Sequence, residues 1–479
     1  MKHSFMILCL VFLSATTPSA EGEVVPIQLV LHQAASPSPA LKYPLLPELR
    51  DTIPGNAVTH YRRAIQILKQ DGPPEKGREE LVDGWIKVSL NDLPREEVGK
   101  FLKQCETMFQ EVEAGARSEQ CDWGRTEEFR KIGSSTQLPD LQEMRSIAVL
   151  LQLRIRFELA EGRTEKAIGT LRTGFALARH VADQPLMACA FVGVAIASMM
   201  EARLEELIQQ PDAPNLYWAL TDLPQPFIDL HKPMQGERLR DYGNFPGLAE
   251  AAADLNAKPW TSEQVLKGAN FRALIEEERL PAMSATDTAA LAVFVVSRHE
   301  TAKKRLIKQG RPKELVDAMP HLQVAMLDSF LQYDQLFDDA MKCQTLPYWE
   351  ALPLLKEADK RRIVALDQAI LHNGGPAIPI YALLLPTLSK AIVIRVCNDR
   401  RIAALRCIEA VRLYAAAHNG KLPSSLADIK DAPAPVDPVT GKPFDYRIAG
   451  DRALLTCTPF PGQTPSNANT PTFELIMKK

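Results

Sequence analysis

The chain has 479 residues, a formal charge of −3, and aromatic side chains at only 6% of its positions. The near balance between 56 basic and 59 acidic residues argues against a nucleic-acid-binding protein and against one that binds an anionic membrane surface. The length allows two or three domains, each with its own core. Apolar residues that are mainly Leu, Ala and Ile favour helix packing over β-sandwiches, so we expect a mainly α-helical protein.

Residues 1–20 have the pattern of a secretion signal. Lys2 and His3 precede a nine-residue apolar run, Phe5 to Leu13, and small and polar residues follow as far as Ala20. This run is too short for a lasting membrane helix, which needs about 20 residues, but it fits a cleaved signal peptide. A buried N-terminal helix is the alternative. We expect cleavage after Ala20 and a secreted protein, located in the periplasm or at the cell surface, with a formal charge of −4.

The cysteines raise a disulfide question in an exported chain. Eight are present, and cleavage of the signal would remove Cys9. The odd remainder leaves at least one thiol unpaired or intermolecular, and no pair has the C-x-x-C spacing of a redox or zinc site. Cys105 and Cys121, both in a polar region, form the preferred bridge, whereas Cys189 in an apolar run predicts a buried thiol. The seven mature cysteines are Cys105, Cys121, Cys189, Cys343, Cys397, Cys407 and Cys457.

Composition divides the rest of the chain into four parts. A proline-rich stretch with few charges predicts a linker or loosely packed arm. Helical periodicity begins behind Asn56, a predicted N-cap, and a polar tail closes the chain. In that tail only Phe473 to Met477 has the pattern of a strand that could pair with a sheet edge. The four predicted parts are a linker at 21–55, a helical domain at 56–375, a helix-and-hairpin module at 376–458 and a tail at 459–479.

The clearest helical pattern lies between residues 141 and 208. An apolar stripe runs from Leu141 to Leu159, Gly162 ends this helix, and Thr164 is the predicted N-cap of a second. Leu186 to Met200 is apolar all round, which predicts a third helix buried on every side. The polar residues that lie off the first stripe are Arg145, Gln152, Arg154, Arg156 and Glu158.

The third helix continues into a charged stretch. Glu201 and Glu205 share one face at i, i+4 and could bind a cation if a second helix supplied partners. No Glu-x-x-His pair of a di-iron bundle is present. The pattern, which includes Arg203 and Glu206, is more typical of a solvated helix face.

No motif in the chain identifies a reaction. His299-Glu300 begins like a zinc-protease helix, but Lys303 occupies the position of the second ligand. A G-x-S-x-G elbow, a P-loop and a G-x-G-x-x-G fingerprint are all missing from the sequence. We therefore assign no catalytic, cofactor-binding or metal-binding residue and no cofactor.

Cys121-Asp122-Trp123-Gly124 is the most unusual tetrapeptide. Asp122 beside an aromatic ring could be a perturbed carboxylate at a site. The structural alternative is favoured: Trp123 anchors a loop, Asp122 caps it and Gly124 turns the chain.

A second apolar run, Ile378 to Ile394, contains Pro379 and Pro386 together with Lys390, which argues against a permanent membrane span. It predicts either a buried helix or an apolar surface. In the second case the segment 376–394 would contact a protein partner.

The C-terminal part has a distinctive order of elements. Arg401 to Ala416 predicts an amphipathic helix that ends at Asn419-Gly420, and Asp437-Pro438 with Gly441 predicts a tight turn. A β-hairpin is then predicted from Phe444 to Cys457. This order of a helix, a Y…NG-x-x-P exit, a D-P-x-x-G-x-P turn and a short sheet resembles the major pseudopilins of type II secretion.

Two departures limit what this resemblance implies. A pseudopilin begins with its processing motif and apolar helix, whereas the run Ile378 to Ile394 is internal and lacks the Gly-Phe-x-x-x-Glu pattern. The resemblance therefore implies a scaffold without filament assembly. Asp437, Asp445 and Asp451 lie in this part of the chain, but the calcium ligands of pseudopilins do not map onto a defined set here.

The whole arrangement also resembles a family of large exported bacterial helical proteins. A C-x-W loop at Cys121 and Trp123, a turn at Gly162, the tripeptide Ala178-Arg179-His180 and the dipeptide Asp437-Pro438 follow in the order of that family. The resemblance covers most of residues 50 to 450 and implies no particular chemistry.

The sequence therefore favours an exported helical scaffold or protein-interaction protein with a degenerate pseudopilin-like C-terminal module. The alternative is an exported hydrolase whose site is assembled from dispersed residues of the helical domain. Its candidate residues are Asp122, His180 and Glu201.

Overall fold

A computed structural model describes residues 24–133, 136–138, 140–244, 246–261, 263, 285–370 and 388–478. The predicted signal peptide lies outside these residues. So do almost all of a helix that the sequence pattern predicts from Glu263 to Glu278 and most of the apolar segment 376–394. Within the described residues the chain is mainly helical with a small sheet, which confirms the predicted fold class at that level.

Sixteen α-helices lie in the described ranges. They are α1 Ala57–Gln70, α2 Arg78–Lys87, α3 Arg95–Gln104, α4 Glu106–Ala116, α5 Arg125–Ile132, α6 Asp140–Ala160, α7 Thr164–Ala182, α8 Met187–Leu207, α9 Tyr217–Thr221, α10 His231–Asn244, α11 Pro246–Ala253, α12 Ala285–Lys308, α13 Lys313–Ala318, α14 His321–Met341, α15 Tyr348–Ile370 and α16 Leu388–Ala417. Short 3₁₀ turns follow at Leu49–Asp51, Lys342–Thr345 and Leu426–Asp428.

The chain forms two compact units, and neither is continuous in sequence. The first takes the segments up to Trp123, from Leu138 to Pro233 and from Val393 onward. The second takes Gly124–Gln137 and Met234–Ile392. A change in composition along the chain can mark a boundary between neighbouring segments. It cannot show that segments far apart in sequence pack into one unit.

The core of the first unit is the predicted three-helix arrangement of α6, α7 and α8. Gly162 adopts a left-handed conformation (φ +69°) and ends α6, as predicted. The second helix begins at Thr164 itself, with Arg163 as its N-cap residue, so the predicted capping role of Thr164 was wrong. Gly193 lets α7 and α8 approach closely, because a Cβ there would lie 2.5 Å from the Cβ of Ala182.

Helix α8 is long and apolar enough to cross a membrane by length and composition, and it is the one such helix among the described residues. However, 61% of its most apolar window is buried inside the fold. A buried core helix passes the same test of length and hydropathy, and burial on every side is what the sequence pattern predicts for this segment.

Polar residues of α6 that lie off its apolar stripe are also buried. Gln152, Arg156 and Glu158 are each less than 9% exposed. The reason is that α1, α2 and α3 pack on α6 in addition to α7 and α8. The stripe identifies one buried face correctly, but it does not reveal that the opposite face has partners.

A four-stranded sheet in the first unit joins the two ends of the chain. Its strands are β1 Ile27–His32, β4 Asp445–Ala449, β5 Arg452–Thr456 and β6 Thr472–Lys478, in the order β1-β6-β5-β4. The pair β1 and β6 is parallel, and the other two pairs are antiparallel. A separate parallel pair joins β2 Ile53–Asn56 to β3 Ser118–Gln120.

Strand β1 corrects the interpretation of 21–55 as a loose arm, and β6 corrects that of 459–479 as a tail without stable structure. Leu29 and Leu31 of β1 and Phe473 and Leu475 of β6 are fully buried. Each strand alternates buried and exposed residues, as a sheet with one covered face requires. The tentative pairing of Phe473 to Met477 with a sheet edge is confirmed. Because prolines are frequent around β1, the short alternation of its buried side chains was not recognised as a strand.

Prolines and local breaks set the ends of several helices. Pro320 separates α13 from α14, because proline has no N–H to continue the helical ladder. Cys105 likewise separates α3 from α4.

The C-terminal signals are confirmed in their local form. Asn419 and Gly420 both have positive φ angles, 55° and 77°, and they end α16 as predicted. The hairpin of β4 and β5 turns at Gly450 (φ +68°). Helix α16 begins at Leu388 and is much longer than the predicted Arg401 to Ala416.

In the second unit, reciprocal tyrosine–aspartate bonds join α10 to α14. The Tyr333 hydroxyl donates to Asp241, and the Tyr242 hydroxyl donates to Asp334. The buried Arg311 donates to three carbonyl groups at the end of α11. These carbonyls have no partner within their helix, so the guanidinium acts as its C-cap.

Because β1 belongs to the core, Leu31→Ala should lower the free energy of unfolding of the chain lacking residues 1–20 by about 2 to 5 kcal/mol. Urea unfolding followed by tryptophan fluorescence measures this change. Val25→Ala is the control, since Val25 is 59% exposed and lies just before the strand; it should change stability by less than about 0.5 kcal/mol. Equal effects of the two substitutions would contradict the assignment of β1 to the core.

Candidate functional site

The most polar region of the first unit is the surface of α16 that faces the C-terminal loops, where Arg400 is fully buried. Its Nε donates to Oδ1 of Asp437 at 3.0 Å, and its Nη2 donates to Oδ2 of the same carboxylate. The remaining donors reach the backbone carbonyls of Thr458 and Asn469. The guanidinium carbon lies 5.2 Å from the ring centre of Phe460. One side chain therefore connects α16 to three separate loop segments.

Asp437 also organises the turn that the sequence predicts. Its Oδ1 accepts the amide of Val439, and its carbonyl accepts the amides of Thr440 and Gly441. Gly441 has a φ of +67°, which favours glycine at that place. The D-P-x-x-G-x-P turn is thus closed by its own backbone and fixed to α16 by the buried ion pair.

A second buried arginine, Arg412, lies further along the same helix. It pairs with Glu409 one turn earlier and donates to the carbonyls of His32 and Ala213. The second carboxylate oxygen of Glu409 accepts the amide of Leu216. This cluster fixes the end of β1 and the loop before α9 to α16.

The charged stretch after the third predicted helix is not a solvated face. Glu201 and Glu205 are buried, and both face α16. Glu205 forms two hydrogen bonds with Arg401, at 2.8 and 2.9 Å, and Asn398 donates to Glu201 at 2.5 Å. The prediction of solvent exposure was wrong because the partners come from a helix almost 200 residues later in the chain.

The environment of these groups changes their pKa values. Burial raises the pKa of Glu201 well above its usual value, and the positive charge of Arg401 opposes this rise only in part. Burial raises the pKa of Asp399 to about 6, against the opposing effects of Arg395 and the amide of Phe227. The thiols of Cys397 and Cys457 have pKa values of about 12, mainly because of burial, so neither is an activated nucleophile.

The C-x-W loop and the Ala-Arg-His tripeptide meet at the end of α7. The thiol of Cys121 and the indole N–H of Trp123 both point to the carbonyl of His180, at 3.8 and 3.4 Å. That carbonyl lies in the last turn of the helix, where no backbone N–H of the helix is available to bond to it. The Tyr61 hydroxyl lies 2.7 Å from His180 Nδ1, and the Tyr61 ring stacks on Trp123.

This cluster serves packing rather than nucleophilic chemistry. Burial lowers the pKa of His180 to about 4, assisted by the charge of Arg179. Burial raises the pKa of Cys121 to about 12, the opposite of what a catalytic thiol needs. Trp123 anchors the loop, as predicted. Cys105 and Cys121 are both free thiols, so the preferred disulfide was wrong.

Of the three candidate residues of a hydrolase, Asp122 and His180 belong to the loop and the helix end that meet here, whereas Glu201 lies further along the helices. Asp122 is exposed, and its backbone is bonded to the side chain of Asn56. Glu201 follows Met200, whose sulfur lies at the level of Gly174 on α7. His180 is six residues further along α7, about 9 Å at 1.5 Å per residue. The ring of His180 contacts Tyr61, and the carboxyl of Glu201 contacts Asn398.

Nothing in the described part of the chain gathers three or more His, Cys, Asp or Glu side chains in a way that could hold a metal ion. The three aspartates of the C-terminal part bind arginines instead. Asp437 pairs with Arg400, Asp445 with Arg447, and Asp451 with Arg452.

Sequence reasoning missed Arg400, Arg401 and Arg412 as important residues. Arginine is mostly exposed in proteins, and the predicted amphipathic helix gave no reason to bury it. One signal was available: Arg401 and Arg412 lie eleven residues apart, about three helical turns, within a helix that is rich in alanine and large aliphatic residues.

The buried pair Arg400–Asp437 should be strongly coupled. Arg400→Met or Asp437→Asn alone should cost about 3 to 5 kcal/mol, since each leaves a buried charge without its partner. A double-mutant cycle in urea should show that the two effects are not additive. In the exposed pair Arg447–Asp445, with 76% and 45% exposure, Arg447→Met should cost less than about 1 kcal/mol. Similar losses in both pairs would contradict the role given to Arg400.

His180 should make the stability of the protein sensitive to acid. Its pKa is lowered on folding, so the unfolded chain binds more protons between about pH 6.5 and pH 4. The stabilising contribution is complete above pH 6.5 and falls by up to about 3 kcal/mol as the pH drops through this range. His180→Gln should flatten this part of the pH–stability curve measured in urea. His231→Gln, at an exposed position, controls for the loss of a histidine, and an unchanged slope in His180→Gln would refute the assignment.

No protein-family model, curated protein or solved structure matches the chain.

Proposed function

We propose that this chain is an exported helical scaffold that acts through protein interactions. The observation that supports this function is that the residues of the distinctive motifs connect separate segments of the fold. Cys121 and Trp123 close the end of α7, and Arg400 and Asp437 connect α16 to the C-terminal loops. These side chains hold distant segments together, and none of them is poised for proton transfer or nucleophilic attack.

The C-terminal part serves, in this proposal, as a degenerate pseudopilin-like module. A long helix, an Asn-Gly exit, an Asp-Pro turn and an antiparallel hairpin follow in the expected order. The pair Arg400–Asp437 gives that order a physical basis, because it fixes the turn to the helix. The parallel strand β1, contributed by the other end of the chain, is an addition to that arrangement.

We place the partner contact in the apolar segment 376–394, and more narrowly at its beginning. At its other end Ala391 and Ile392 are buried, so those residues belong to the core. The earlier part, residues 376–387, lies outside the described residues. Within the module, the exposed apolar side chains include Val436 and Ile448, at 44% and 43% exposure, which are available to a partner.

The alternative function, an exported hydrolase, has less support. The ring of His180 is bonded to Tyr61, and the carboxyl of Glu201 is bonded to Asn398. A general base must reach a substrate proton, and both groups are held against structural partners.

Site-specific photo-crosslinking in the producing cell tests the proposal. A photoreactive amino acid at Leu384 should give a covalent adduct with another protein, while the same group at Lys421, exposed in the loop after α16, should not. The labelled chain should be recovered from the exported fraction with Glu21 as its first residue.

Two results would contradict the proposal. Retention of the intact N-terminus in the cytoplasm would refute export. Identical crosslinks from Leu384 and Lys421, or none from either, would refute a specific partner contact at this segment.

A further inference from the structure

Glu201 of α8 and Asn398 of α16 share a hydrogen bond in the buried layer between the two helices. Both side chains are almost completely buried. The Asn398 Nδ2 group donates to Glu201 Oε1 at 2.5 Å. The other oxygen of each group, Glu201 Oε2 and Asn398 Oδ1, is also buried and has no hydrogen-bond partner among the described residues.

Two unpartnered acceptors on side chains that already share a hydrogen bond need an explanation. An ionised carboxylate has only acceptors, so it cannot satisfy the amide oxygen. A protonated carboxyl has one O–H donor. If Oε2 carries the proton, it can donate to Asn398 Oδ1, and the acid and the amide then form two antiparallel hydrogen bonds. A single proton accounts for both buried acceptors, which proteins rarely leave unsatisfied.

The charges around Glu201 favour this proton. From α8 itself Glu205 lies one turn away, and from α16 come Asp399, Cys397 and Arg401. Two of these groups are acids that oppose a negative charge on Glu201. The positive charge of Arg401 is already directed to Glu205 through two hydrogen bonds.

Among the described residues, the charges that act on Glu201 come from α8 and α16. On α6, Arg156 bonds to Glu206 and to backbone carbonyls, and Glu158 bonds to Arg154 and to Thr170 of α7. Burial without a dedicated cation raises the pKa of a carboxyl group, as found for Glu201.

We propose that Glu201 is a built-in proton-binding site: its protonated carboxyl donates to Asn398 and joins α8 to α16 by a two-bond acid–amide pair. The consequence is a junction that weakens when the proton leaves. Folding raises the affinity of Glu201 for its proton, so the native state binds one proton more than the unfolded chain above about pH 4.5. The unfolding equilibrium constant should therefore rise with pH, by up to tenfold per pH unit from this group, until the proton is lost in the folded state.

Infrared difference spectroscopy of the full mature chain tests the proposal directly. At pH 8 the carbonyl band of a protonated carboxylic acid should be present in the native protein and absent from Glu201→Gln. Burial raises the pKa of Asp399 to about 6, so that carboxyl is ionised at pH 8 and does not contribute to the band. Glu409→Gln is the matched control: it removes a fully buried carboxylate that is paired with Arg412 and does not act on Glu201, so it should leave the band unchanged.

Glu201→Gln should also remain folded, because an amide can make the same two hydrogen bonds with Asn398. Its unfolding constant, measured in urea between pH 5 and 8, should lose the pH dependence that this group gives to the wild-type protein. If the variant does not fold, the band of the wild-type protein and the release of one proton on its unfolding at pH 8 still decide the question. Absence of the band, or the same pH dependence in both proteins, would overturn the proposal.

Discussion

The buried guanidinium of Arg400 is the constraint on which the C-terminal half of the first unit depends. A charge removed from water is tolerated only when it is paired and its donors are satisfied. Asp437 and the carbonyls of Thr458 and Asn469 meet that requirement from three separate segments. The turn, the exit of β5 and the segment before β6 must therefore all be in place before the arginine can be buried. This makes their folding cooperative, and it positions β6 to receive β1.

The same principle recurs through the unit. Arg412 fixes β1 and the loop before α9, and Arg156 collects the carbonyls that end α2. Helix ends and loops leave carbonyl groups without partners, and a guanidinium with five donors can satisfy several of them at once. The chain uses long basic side chains to connect segments that are remote in sequence. That use gives several of its conspicuous residues a role in holding the fold together.

Local signals predicted local structure well. The periodicity of α6 to α8, the N-cap at Asn56, the exit at Asn419-Gly420 and the hairpin of β4 and β5 all depend on residues close in sequence. Features set by distant partners were not predictable. Glu201 and Glu205 have the pattern of a solvated face, and only α16 makes them buried. Strand β1 is six residues long in a proline-rich stretch, and its partner lies at the other end of the chain.

Strands β1 and β6 and the turn around Asp437 form one cooperative structure with the core, and native-state hydrogen exchange of the mature protein measures this most directly. The amides of β1 and β6 and those of the turn around Asp437 should open with the same free energy as the core of α8, and Arg400→Met should lower all of them together. If β1 and β6 instead exchange in a separate low-energy opening while α8 stays protected, and the substitution affects only the turn, the central role given to Arg400 is contradicted.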